Sequence, residues 1–296
     1  MHSSTPFKKD LLIVGCGYLG MRVLRLASDQ DWKVFGTSRK IEKKTIIESA
    51  GAEFIDFDIT RPETCQNLPS VSTWLWCPAF DRSQGLSVQE VVADGLIRSL
   101  KLAPTKPDRL IFVSTTSVFH QSDGQWVDEL SPTNPVTGSG MAHLNAEQLL
   151  TTWASSTNTS AITIRLSGLY GPGRWIRRAS IEKGEPIACD PETYLNLLHI
   201  DDAMTGCLAA LNHSTSSGHQ LFCLTDDLPI TRGEFYQTSA SLLNAPQPSF
   251  ISTDQNDFSG NKKVRNQKFK SALNWKPRYP DIKTGLKSIL ASEYTK

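Results

Sequence analysis

Charge of either sign in excess, long apolar runs and paired cysteines are all missing from this 296-residue chain. Against 31 Lys and Arg stand 30 Asp and Glu, a formal net charge of +1. No overall field therefore draws the chain to nucleic acid or to an anionic membrane, and any anion site must be local. No uninterrupted apolar stretch approaches the ~20 residues needed to span a bilayer. Residues 1–10 lack the apolar region of a signal peptide. The expected setting is cytoplasmic, with no membrane and no nucleic-acid partner. The six cysteines, Cys16, Cys65, Cys77, Cys189, Cys207 and Cys223, contain no C-x-x-C pair. That spacing suggests neither a zinc cluster nor a redox pair, so they are expected as small core residues, and no metal is expected. There is no internal repeat, and the short Ser/Thr/Asn stretches at 155–160 and 214–217 read as surface loops.

What the chain does have is Leu11-Leu12-Ile13-Val14-Gly15-Cys16-Gly17-Tyr18-Leu19-Gly20, an apolar run entering G-x-G-x-x-G and then the helical pattern Val23, Leu24, Leu26, Ala27. The order is strand, tight turn, helix. Gly15 allows the turn, Gly17 removes a side chain that would block a pyrophosphate, and Gly20 brings helix and strand close. The first amides of the helix then face the phosphates, where the helix dipole favours negative charge.

At the end of the next strand, Lys33-Val34-Phe35-Gly36-Thr37-Ser38-Arg39-Lys40, there is no carboxylate to accept from an adenosine ribose. Thr37, Ser38, Arg39 and Lys40 offer hydroxyls and two cations instead, a composition suited to a 2′-phosphate. NADP is expected before NAD. Asp58, in Phe57-Asp58-Ile59-Thr60, either caps the turn after a third strand or, with Ile59, touches the adenine amine.

Candidate strands at 11–14, 33–37, 53–56, 73–77, 110–114 and 161–166 alternate with helix-compatible segments at 22–28, 43–49, 88–99 and 141–154. This is the pattern of a doubly wound parallel α/β sheet. Beyond Gly168 the pattern becomes irregular, with one helix near 203–211 and a Trp/Pro/Tyr-rich tail. The expected division is a dinucleotide-binding domain over 1–167 and a smaller α+β substrate lobe over 168–296, with residues around 196–225 returning to the first domain.

Four further blocks carry a resemblance: Val113-Ser114-Thr115-Thr116-Ser117-Val118-Phe119; Trp126-Val127-Asp128-Glu129 with Ser131-Pro132; Arg165 through Tyr170-Gly171-Pro172-Gly173-Arg174; and His199-Ile200-Asp201-Asp202. In this order they resemble the extended short-chain dehydrogenase/reductase superfamily of NAD(P)-dependent epimerases and dehydratases, over nearly the whole chain. The resemblance implies a Rossmann fold, and a Tyr and Lys in Y-x-x-x-K that move a proton while hydride passes to or from the cofactor. It also implies a Ser or Thr, here Thr115, that fixes the substrate oxygen. The chain departs from the pattern at the Tyr and Lys, where it carries Ser139 and His143. Their i, i+4 spacing keeps them on one helical face. An imidazole titrates at roughly pH 6.5, so His143 can replace the lost acid/base. The other readings are a protein that binds NADP as a sensor or partner-binding module without catalysis, and a helix on which Ser139 is merely the N-cap and His143 a polar surface residue.

His120 stands where the family usually has Gly and either enters the substrate side or is a packed or exposed loop residue. Tyr170 and Arg174, the latter with Arg177 and Arg178, belong to a turn that in relatives leads to the sugar-nucleotide site. Three guanidinium groups there could hold a diphosphate or form a solvated basic face. His199, Asp201 and Asp202 read as a strand end and a helix start that Asp202 caps. The expected ligand is a small polar or nucleotide-linked molecule, and a homodimer is an expected assembly.

Overall fold

The apolar run before the glycines forms β1 (Asp10–Val14), and every residue of it is buried. Unbroken burial is what a strand covered on both faces requires. The computed structural model describes residues 8–78, 80, 85–214, 217–252 and 260–294. Residues 1–7, and Thr215 and Ser216 of the second Ser/Thr stretch, lie outside the described residues.

After β1 come α1 (Gly20–Ser28), β2 (Lys33–Ser38), α2 (Lys44–Glu48), β3 (Glu53–Asp56), β4 (Thr73–Trp76), α3 (Gly95–Leu102), β5 (Arg109–Thr115), β6 (Gln125–Val127), α4 (Gly138–Thr157) and β7 (Ser160–Leu166). The later chain forms β8 (Gly168–Tyr170), α5 (Arg178–Glu182), β9 (Ile187–Ala188), β10 (Tyr194–Leu195), β11 (Leu197–His199), α6 (Ile200–Asn212) and β12 (Gly218–Leu224). It ends with β13 (Ile230–Thr231), α7 (Arg232–Leu242), β14 (Phe250–Ile251), β15 (Lys262–Val264), α8 (Gln267–Leu273) and α9 (Ile282–Tyr294).

A seven-stranded sheet has the order β12-β7-β5-β4-β1-β2-β3. β1 pairs in parallel with both β2 and β4, in a register that places Leu12 beside Phe35 and Trp74. The chain therefore steps away from β1 in both directions. In such a sheet the crevice for a ligand lies beyond the carboxyl ends of the strands, where the order reverses.

Two compact units are distinguished. The first is Met1–Ser114, Ala142–Thr163 and Ala210–Gln220. Trp74, Trp76, Leu110 and Phe112 from the sheet meet Leu96, Leu150 and Trp153 from α3 and α4 in its core. Arg109, at the start of β5 and buried, donates to the carbonyls of Leu211 at 2.9 Å and Ala210 at 2.5 Å, and to that of His213. One guanidinium thereby satisfies the last carbonyls of α6, which have no partner within the helix.

The second unit is Thr115–Met141, Ile164–Ala209 and Leu221–Lys296. It is built from short strand pairs, β8 with β11, β6 with β15 and β9 with β14 in parallel, and β10 with β13 antiparallel. Its core gathers Tyr170, Ile181, Leu197, Phe235, Leu286 and Ile289. The tail that reads as irregular beyond Gly168 contains α7, α8 and α9. A capping box starts α7, in which Thr231 and Glu234 satisfy each other's amides.

α4 starts earlier than the expected 141–154, at Gly138, because the Thr137 hydroxyl accepts from the Gly140 amide at 3.0 Å. Ser139 is therefore inside the first turn and is not the N-cap. Two glycines in a first turn hide a helix start from propensity. Here Gly140 is needed, because a Cβ on it would lie 2.3 Å from the Ser117 carbonyl oxygen. α6 likewise begins at Ile200, so Asp202 lies within the helix. Its carboxylate accepts from the amides of Arg278 at 2.7 Å and Tyr279 at 2.9 Å, pinning the segment before α9 and not capping its own helix. Among the described residues no helix is long and apolar enough to cross a membrane.

Candidate functional site

The glycine turn is built as its spacing requires. Gly15 has φ +105°, and a Cβ on it would stand 2.4 Å from the Cys77 carbonyl oxygen at the end of β4. A Cβ on Gly20 would stand 2.2 Å from the Gly15 carbonyl oxygen. Only hydrogen fits at either position. The Gly17 amide closes the turn on the Gly15 carbonyl at 2.8 Å, and the Gly17 carbonyl accepts from Met21 in α1.

A cavity of about 250 Å³ opens at this turn, in the first unit. Gly15, Cys16, Gly17, Ser38, Arg39, Lys40, Asp58 and Ile59 all line it. The other three members of the motif lie behind the wall: Leu19 and Gly20 are buried, and Tyr18 packs under the Arg22 guanidinium, 4.3 Å from its ring centre. The Ser38 hydroxyl accepts from the Lys40 amide at 3.0 Å, bending the chain at the end of β2. The Asp58 carboxylate accepts from both the amide (3.0 Å) and the hydroxyl (2.7 Å) of Thr60, which is the turn-capping arrangement. Ile59 is fixed by Arg98, whose guanidinium donates to its carbonyl at 2.8 Å.

The wall also contains Lys43, which pattern reading passes over. A 3₁₀ turn at Ile41–Lys43 folds it back so that its ammonium donates to the Cys16 carbonyl at 3.1 Å. A third cation thus joins Arg39 and Lys40 on one cavity, where Asp58 is the only carboxylate-bearing wall residue among the described residues. Its signal in the sequence is a single lysine in Arg39-Lys40-Ile41-Glu42-Lys43-Lys44, visible only once the turn is known. Burial pushes the Cys16 thiol up to about 12, so it lines the cavity as a small apolar group and not as a nucleophile.

These residues fit a dinucleotide phosphate. The turn leaves room at the backbone, the start of α1 offers amides, and the end of β2 offers hydroxyls and cations.

None of Thr115, Ser139, His143, His120, Tyr170 or Arg174 lines this cavity. In the second unit the Thr115 hydroxyl accepts from the Ser117 amide and donates to the Ser117 hydroxyl, each at 3.1 Å, capping the turn Thr116–Val118 that packs on Gly140. On α4, His143 is half-buried, and its ring lies 6.1 Å from that of Phe112 at an interplanar angle of 24°. His120 is half-buried too.

Tyr170 corrects the expectation of a substrate contact. It is 0% exposed, edge-on to the buried His199 at 5.2 Å, with its hydroxyl against Gly285 and making no hydrogen bond among the described residues. Burial raises its phenol pKa. Tyr170→Phe is expected to keep the fold, with stability unchanged or raised by up to about 1 kcal/mol, since a buried donor without a partner costs rather than contributes. Thermal unfolding checks this, and a marked loss of stability would mean that the hydroxyl has a partner.

Arg178 is likewise committed elsewhere, to Glu182 at 2.8 Å and Glu293 at 2.6 Å, which raise its pKa. This leaves Arg174 and Arg177 exposed beside it. His199 accepts from the Asp201 amide at 3.2 Å and packs on Tyr279 at 4.1 Å, as the strand-end reading expects.

Comparison with known proteins agrees with this architecture. Protein YeeZ of Escherichia coli (strain K12) is 29% identical over 287 residues, spanning 92% of this chain and 97% of its own. The structure of a putative NAD-dependent epimerase/dehydratase from Methylobacillus flagellatus superposes with a TM-score of 0.76 at 26% identity, over 97% of this chain and 100% of its own. A UDP-glucose 4-epimerase from Thermotoga maritima, solved with UDP-glucose, has a TM-score of 0.79 at 18% identity over 97% and 98% of the two chains, a likeness of fold alone. Residues 11–222 match the NAD dependent epimerase/dehydratase family. With its Gly15–Gly20 turn, its β1-centred sheet and its extended short-chain dehydrogenase/reductase blocks in order, this chain belongs to the NAD dependent epimerase/dehydratase family, whose cofactor class is a nicotinamide dinucleotide.

Proposed function

We propose that the chain is an NADP(H)-dependent oxidoreductase or epimerase/dehydratase-type enzyme acting on a small polar, nucleotide-linked substrate. The observation that carries the cofactor reading is the cation set of Arg39, Lys40 and Lys43 on a cavity that also contains the glycine turn. Arg39 and Lys40 stand where a ribose-binding carboxylate would discriminate against a 2′-phosphate. Thr37 supports the turn from below, its hydroxyl accepting from the Gly15 amide at 3.3 Å. The bound nicotinamide would supply or accept hydride. The chain's own part is to hold the dinucleotide at the turn, to orient a substrate oxygen at Thr115 and to move a proton through His143. The nucleotide-linked substrate is supported by the epimerase of the same fold that was solved with UDP-glucose.

Calorimetric titration tests the cofactor reading. NADPH is expected to bind more tightly than NADH. Arg39→Ala is expected to weaken NADPH by about 10- to 100-fold, the equivalent of one charge-assisted contact of ~1.5–3 kcal/mol, while NADH changes little. Equal affinities for the two cofactors in the unaltered protein would sink the NADP preference. A second reading, a non-catalytic NADP(H) sensor, is favoured by two observations: the Thr115 hydroxyl is engaged with Ser117, and the Tyr and Lys of the family are Ser139 and His143.

A further inference from the structure

In the second unit, Lys262 is 6% exposed and no hydrogen bond or ion pair among the described residues involves its ammonium group. An ammonium taken out of water costs several kcal/mol unless it is paired, and native lysines are almost never buried otherwise. The backbone around it explains the position of the residue but not its charge. β15 is held to β6, the Asn196 amide donates to the Lys262 carbonyl at 2.8 Å, and the Asn196 side-chain oxygen accepts from the Val264 amide at 2.7 Å. A methionine would fill the same volume without the cost. The next residue shows the contrast, since Lys263 points its ammonium at the rings of Trp126 (5.3 Å) and Tyr194 (5.0 Å).

The groups around the Lys262 amine make its charge harder to keep. Burial and then the Arg232 guanidinium, a second cation, push it down to about 8, and among the described residues no carboxylate acts on it. Arg232 is itself held in place, donating through Nε to the Thr193 hydroxyl at 2.9 Å. Gly260 marks where the surroundings converge. A Cβ there would lie 3.2 Å from the Gln121 carbonyl oxygen, 3.4 Å from Lys262 Nζ and 4.0 Å from His120 Nδ1. Asn261 is anchored beside it, its amide donating to the Gln121 carbonyl at 2.8 Å and its side-chain oxygen accepting from the Tyr194 amide at 3.0 Å.

We infer that Lys262, with Arg232 and His120, is a receptor for an oxyanion carried by the substrate, a phosphate or a carboxylate. The proposal rests on the reading of the chain as an enzyme for a small polar substrate and names the group by which that substrate is held. An anion between two like charges removes their repulsion and the desolvation cost together, and a preformed cation pair selects a charged substrate over a neutral one.

The test is lysine footprinting of the full chain with an N-hydroxysuccinimide ester near pH 8. It is read by mass spectrometry in sodium chloride, sodium phosphate and sodium acetate at equal ionic strength, with and without saturating NADPH. Lys262 is expected to react in chloride and about tenfold more slowly when its anion is bound, while Lys263 is unchanged. Slowing by phosphate alone assigns a phosphoryl group, and slowing by acetate alone a carboxylate. No slowing by either, equal slowing at Lys263, or no reaction in chloride overturns the receptor. Lys262→Met is expected to unfold at or above the temperature of the unaltered protein and to lose the rise that the anion gives it. A fall of several degrees would show that Lys262 has a structural partner and would also overturn it. NADPH affinity is expected to be the same in Lys262→Met. Failure of the unaltered protein to bind NADPH would count against the proposed function while leaving the footprint readable.

Discussion

Gly17→Val is expected to bind NADPH at least a hundredfold more weakly than the unaltered protein, with little change in unfolding temperature. The two halves of this expectation come from different features of the turn. Gly17 lies on the cavity wall and does not share the positive φ of Gly15, so its φ sets no bar to a valine. Its branched side chain would occupy the approach by which a pyrophosphate reaches the amides at the start of α1. Each charge-assisted contact to those amides is worth ~1.5–3 kcal/mol, and the loss of two exceeds a hundredfold in affinity. Gly15→Val would not make the same point, because a Cβ at Gly15 meets the Cys77 carbonyl oxygen at 2.4 Å and would damage the sheet itself. Calorimetry on folded Gly17→Val decides the matter. Unaltered affinity would mean that the turn is only structural.

The parts of the molecule that are legible in the sequence are those whose signal is local. β1 and the turn after it announce themselves by an unbroken apolar run and three glycines, and β3 is found at its expected bounds because its run is short and closed by Asp56 and Asp58. The residues that line the cavity at the glycine turn follow for the same reason, since Ser38, Arg39 and Lys40 simply end a strand. What is not legible depends on partners far along the chain. Asp202 has the look of a helix cap, yet its partners are the amides of Arg278 and Tyr279. Tyr170 sits in a glycine- and proline-rich turn that suggests a binding loop, and its burial is decided by His199 and by Gly285 of α9. Lys262 carries no motif at all. Its burial follows from the pairing of β15 with β6, which no periodicity in residues 260–266 foretells.

The same distinction bears on α4, where the sequence shows which residues of the family pattern are exchanged but not what stands in for their chemistry. His143→Ala is expected to lower turnover by about 10²- to 10⁴-fold while NADPH affinity stays nearly constant. The family's Tyr and Lys act as a pair, one moving the proton and the other supplying a permanent charge. A serine hydroxyl has no low-lying pKa, so in the proposed enzyme the proton would pass through the His143 imidazole. His143 is half-buried, with its ring 6.1 Å from that of Phe112. The rate in the unaltered protein should therefore carry a limb titrating in the neutral range. His143→Gln, which keeps a polar group without a titration, should abolish that limb along with His143→Ala. Since a failed search for substrates would fit both an unknown substrate and a sensor, geometry gives the sharper test. In a crystal structure with NADP⁺ bound, His143 should reach the neighbourhood of nicotinamide C4 directly or through one water. A ring directed away from it, with no water chain between, would remove His143 from the reaction and leave a helix that packs without catalysing.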